Sequence, residues 1–129
     1  MLCFKATLLR HEFDTINPRL RAILFELSDY LERRFGVNSE KSILLITSLW
    51  RLQNKDSVHA YGRGADLAAK IFNLGNLYEI LSHMNDNFPY GDDKHETLKF
   101  HSRRGYLEDD VGVMDDDDFH AHVQVIELK

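Results

Sequence analysis

The chain has 129 residues, 43% of them hydrophobic and 29% charged, which excludes a disordered tail or a membrane-embedded chain and leaves the soluble globular class. Sixteen Lys and Arg against 21 Asp and Glu give a net charge of -5, the wrong sign for unspecific binding to a phosphate backbone, so no nucleic acid partner is expected. A single Cys, Cys3, rules out a disulfide within the chain.

This length buries roughly two thirds of the unfolded surface, enough for one core without metal or disulfide staples. A single domain over residues 1–129 is expected, and any metal would serve chemistry before folding. The longest uncharged stretch, Ser42 to Trp50, has nine residues, well short of the ~20 a spanning helix needs, so no transmembrane segment is expected. The opening residues show no signal peptide, which implies cytoplasmic synthesis.

In chain order, Leu2 to Leu9 reads as a strand. Leu20, Ile23, Leu24, Leu27, Leu31 and Phe35 recur at three- and four-residue intervals, which predicts a helix from Pro18 to Phe35. Asn17 is its N-cap, proline follows at the first turn, and Gly36 suits the stop. Ser42 to Trp50 is short, apolar and partly β-branched, so it predicts a buried strand ending at Arg51.

Gln53 to Gly64 is polar and glycine-bearing, and Ala65 to Ala68 forms a short strand leaving it. Asn76 with Glu79 resembles a capping box, opening a helix whose Leu77, Ile80, Leu81, Met84 and Phe88 share a face until Pro89. Thr97–His101 and His120–Ile126 are the remaining strands. Glu108 to Asp118 holds seven carboxylates and reads as a solvated loop.

Chemistry concentrates in two places. A strand alternates its side chains, so His120, His122 and Gln124 project together from the last one. Gly62 and Gly64 let the preceding loop fold back, bringing His59 and Asp66 towards one centre. With His122 these would make three zinc ligands and leave one position for water, the pattern of a catalytic site. On spacing alone, the wet face of an edge strand is an equally good reading of the histidines, and unrelated polar residues a somewhat better reading of the loop. Two other chemistries fail: Leu67 stands where a dinucleotide fingerprint needs glycine, and Cys3 has no activating neighbours in sequence.

Ser57, His59, Gly62 and Asp66 resemble the S-x-H-x-x-G-x-A-x-D signature of zinc D-Ala-D-Ala carboxypeptidases and L-alanyl-D-glutamate endopeptidases, relatives of the Hedgehog signalling domain, with Gly64 in place of the alanine. Ser48-Leu49-Trp50-Arg51 resembles the family's strand-ending S-G-Y-R, and His120-Ala121-His122 its closing H-x-H. These elements run in the family's order over Ile43 to Ile126.

The resemblance implies an α+β fold of the Hedgehog/DD-peptidase kind, a small antiparallel sheet flanked by helices. It implies one zinc per chain held by His59, Asp66 and His122, with Arg51 on a substrate carbonyl or carboxylate and Ser57 and Tyr61 lining the substrate cleft. His120 becomes a proton donor or transition-state stabiliser. Relatives place the general base three residues before the last ligand, where this chain has Phe119, so the role falls to Asp117, with Asp116 and Asp118 as alternatives.

The implied reaction is hydrolysis of an amide bond in a peptidoglycan stem peptide, as in a phage endolysin or a wall-remodelling carboxypeptidase or endopeptidase. Release to the wall would depend on a phage or wall-assembly partner protein. A metal-binding or assembly module without catalysis is the alternative that Phe119 keeps open. The acidic segment lacks the EF-hand pattern, so calcium is at most a modulator.

Overall fold

A computed structural model describes residues 1–49, 62–92 and 95–126. The elements run β1 (Leu2–Phe4), α1 (Thr7–Phe13), α2 (Pro18–Phe35), β2 (Leu44–Ser48), β3 (Gly64–Ala68), α3 (Leu74–Asn87), β4 (Leu98–Ser102), β5 (Gly105–Tyr106) and β6 (His120–Gln124). The fold is α+β. The six strands form one sheet in the order β1-β2-β3-β6-β4-β5.

The sheet is mixed, which corrects the expected antiparallel one: β1 runs parallel to β2, pairing Cys3 with Leu45, and the other neighbours are antiparallel. The expected strand Leu2 to Leu9 stops at Phe4. Beyond it Ala6 is extended at φ -142° and the chain turns into α1, burying Leu9 and Phe13 four residues apart, a helical period.

Helix α2 has the expected bounds. The Asn17 side chain accepts from the Arg19 and Leu20 amides, and Pro18 occupies the first turn, where a missing N–H is harmless. Helix α3 starts earlier than Asn76. Asn73 is its N-cap, accepting from the Asn76 amide at 2.9 Å, while the Asn76 side chain accepts from the Asn73 amide at 3.3 Å. Asn76 therefore closes the capping box that it was expected to open.

Alternation on the strands sets the two faces of the sheet. Leu67, Leu98, Phe100 and Ala121 point to one side, where Leu27 and Leu31 of α2 and Ile80 of α3 pack on them. Asp66, Lys99, His101, His120, His122 and Gln124 occupy the alternate positions and share the other face. Among the described residues no helix is long and apolar enough to cross a membrane.

Candidate metal and catalytic centre

The pairing register assembles the centre. Asp66 on β3 stands opposite His122 on β6, with Ala68 opposite His120 and Gly64 opposite Gln124. On the other side of β6, β4 places His101 opposite His120 and Lys99 opposite His122. Residues directly opposite on an antiparallel pair have Cβ atoms about 5 Å apart, so the pairing of β6 with β3 and β4 fixes this cluster. Gly62, two residues before β3, has a φ of 67°, a conformation suited to glycine. Its carbonyl accepts the Asn17 amide at 2.9 Å, tying the entry to the start of α2.

Two hydrogen bonds determine what the imidazoles present to Asp66. His122 Nε2 lies 3.3 Å from Gln124 Oε1, and the Gln124 amide nitrogen donates to the Glu96 carbonyl at 3.0 Å. The Gln124 oxygen and the Asp66 carboxylate both only accept, so a neutral His122 donates to one of them and an imidazolium to both; with Nε2 donating to Gln124, Nδ1 is left free for a cation. The His122 Nδ1 then faces Asp66 Oδ1 across 3.0 Å. His120 is held in the same way: its Nδ1 donates to the Asp118 carbonyl at 2.7 Å, leaving Nε2 3.7 Å from the same Asp66 oxygen.

With His122 Nε2 and His120 Nδ1 donating in this way, each neutral imidazole turns a lone pair towards the Asp66 carboxylate. That arrangement calls for a cation, either an extra proton or a metal ion. Ligand atoms around one tetrahedral zinc at ~2.0–2.2 Å stand about 3.3 Å from each other, close to the Asp66–His122 spacing. Asp66 and His122 are both buried, and the donor set of carboxylate and imidazole suits zinc. The Gln124–His122 bond has the form of the outer partner that fixes a metal-binding histidine.

These two residues are the part of the implied ligand set that the described structure brings together. Among the described residues no three His, Cys, Asp or Glu side chains form a group able to hold an ion by themselves. The third implied ligand, His59, lies outside the described residues, as do Arg51, Ser57 and Tyr61.

His101, the last residue of the expected Thr97–His101 strand, belongs to the cluster, its ring 4.2 Å from that of His120 and 6.2 Å from that of His122. Its Nε2 is buried without a hydrogen-bond partner. Burial, reinforced by the His120 and His122 imidazoles, pushes its pKa down to about 4, so it is neutral near pH 7. Parity along β4 was the signal that could have found it, had the pairing of β4 with β6 been known.

An open cleft of about 510 Å³ borders the centre, lined by Asp66, His120, Ser48 and Asp117 among others. Asp117 thus shares a cleft with the centre, although its side chain is fully exposed and lies 3.7 Å from Lys70 Nζ. Asp116 is engaged elsewhere, accepting from the Ser102 hydroxyl at 2.6 Å and lying 3.6 Å from Arg104. Asp118 accepts the Arg103 amide at 2.7 Å. Two of the three alternatives for the base therefore hold the acidic loop against the β4–β5 turn. Phe119 is buried, stacked on Phe100 on the helical side of the sheet.

Compared with family models, with curated proteins and with solved structures, the chain matches none of them.

Proposed function

We propose that the protein is a zinc metallopeptidase that hydrolyses an amide bond in peptidoglycan stem peptides, with a Hedgehog/DD-peptidase-like fold and His59, Asp66 and His122 as ligands. The observation that carries this reading is the convergence of the Asp66 oxygen and the His122 Nδ1 at 3.0 Å, with Gln124 Oε1 as an acceptor beside the other ring nitrogen. The resemblance of Ser57–Asp66 and His120–His122 to the family motifs supplies the substrate class.

When bound, zinc would polarise the scissile carbonyl and lower the pKa of its water towards ~7. The chain's own residues do the rest. Asp117, in the shared cleft, accepts a proton and returns it to the departing amine. His120, whose Nδ1 is committed to the Asp118 carbonyl, offers Nε2 to the reacting region. Arg51 would receive a stem carbonyl or carboxylate with its planar fork of donors, and Ser57 and Tyr61 would line the cleft.

The burial of Phe119, at the position where relatives carry the base, favours a second reading: a metal-binding assembly module without hydrolysis. One experiment separates the two. Purified protein is loaded with zinc, incubated with peptidoglycan, and the products are analysed by mass spectrometry. New amine termini that disappear in His59→Ala support the peptidase. Stoichiometric zinc with no cleaved stem peptide supports the module, and a His59→Ala protein that keeps its zinc overturns the ligand set.

A further inference from the structure

A cavity of about 260 Å³ lies beside β4, on the far side of that strand from β6. Leu81, Phe100 and Leu107 give it an apolar floor, while Glu96, Glu108 and Lys99 supply charge and Tyr106 an aromatic wall. Glu96 and Glu108 both line the cavity, and burial, reinforced by the neighbouring Glu108 carboxyl group, raises the Glu96 pKa. The Lys99 ammonium sits 5.2 Å from the centre of the Tyr106 ring.

We propose that this cavity binds the zwitterionic head of an α-amino acid, its ammonium on the Glu96–Glu108 carboxyl pair and its carboxylate on Lys99. Three features of the lining lead there. The volume falls below the ~300–1,000 Å³ of ordinary small-molecule pockets, so the occupant is of single amino-acid size. The carboxyl pair crowds two acids that an ammonium, with three donors, would satisfy at once. Among the described lining residues the others that can carry charge are Lys99, near enough to Glu96 to act on it and matched to a carboxylate, and His95, which is already paired with Asp92 at 2.9 Å.

The cavity is coupled to the centre through backbone and register. Glu96 holds Gln124 through its carbonyl, and Lys99 stands opposite His122. A zwitterionic head has two sources: a free amino acid, or the distal end of a diamino acid arm within a stem peptide. Only the second rests on the peptidase reading.

Heteronuclear NMR titration of the zinc-loaded full chain tests the site, with D-alanine, diaminopimelic acid, ethylamine and acetate as separate probes. Shifts of the Glu96, Lys99, Leu107 and Glu108 amides are expected with D-alanine and diaminopimelic acid, at least about tenfold tighter than with ethylamine or acetate, because each charged hydrogen bond is worth about a factor of ten or more. Tighter binding of diaminopimelic acid than of D-alanine identifies the diamino arm; equal binding identifies the free amino acid. The Glu96→Gln/Glu108→Gln double variant and Lys99→Met should each weaken binding about tenfold while zinc content stays at the wild-type level. Ethylamine binding as well as D-alanine, or shifts that persist in both variants, would overturn the proposal. Absent shifts with intact peptidoglycan cleavage would remove this pocket and leave the peptidase standing.

Discussion

Gln124 Oε1 faces His122 Nε2 at 3.3 Å while the Gln124 amide nitrogen is committed to the Glu96 carbonyl. The carbonyl cannot donate, so the amide cannot flip without losing a bond, and Nε2 keeps an acceptor beside it. Gln124→Ala should therefore leave the fold intact and lower zinc affinity by about 10–100-fold, the usual effect of removing an outer partner of a metal-binding histidine. Competition against a chromophoric chelator measures it. Unchanged affinity would mean that Gln124 does not orient the ligand.

Asp66→Asn is expected to separate metal binding from stability. In the metal-free protein an asparagine amide can donate to a neutral His122 Nδ1 across the 3.0 Å that separates it from residue 66. Thermal melts in chelator should show the variant at least as stable as wild type, whereas the upward shift expected when zinc is added to the wild type should be absent. A variant that melts far lower in chelator would instead make Asp66 a structural ion-pair partner of His122.

Helix α2 was legible in full because its signals agree: Asn17, Pro18, an apolar stripe and Gly36. The parity of His120, His122 and Gln124 on one face was legible for the same reason. Sequence could not give the partner strands of β6, and with them the approach of His101 and the register of Asp66 with His122, since these are pairings between distant segments. The start of α3 was misread because Asn73 and Asn76 are both good caps, and only the backbone shows which amide each one accepts. The parallel β1–β2 pair was equally hidden, since one short apolar segment reads alike in either direction.

Phe119 tests the division of labour between the two sheet faces. It sits beside a site residue in sequence but packs on Phe100 in the core, 6.1 Å between rings. Phe119→Ala should cost about 3–5 kcal/mol in chemical denaturation, in the range of buried aromatic truncations, while the folded fraction keeps its zinc stoichiometry. A loss below about 1 kcal/mol would contradict the core assignment.

The Glu96–Glu108 contact predicts a pH dependence opposite to that of an ordinary ion-paired carboxylate. Burial, then the Glu108 charge, raises the Glu96 pKa above its usual 4.5 in the fold. Between 4.5 and the raised value the folded state binds more protons than the unfolded one, so this group's contribution to stability falls as pH rises through that window. Below the window both states are protonated and the effect is absent; above it both are ionised and the destabilisation is complete. Glu96→Gln removes the titration, so the melting temperature of the variant relative to wild type should climb from acid towards neutral pH and then level off. Measured in chelator across that range, a difference that stays flat or declines with rising pH would show that the two carboxyl groups do not meet in solution.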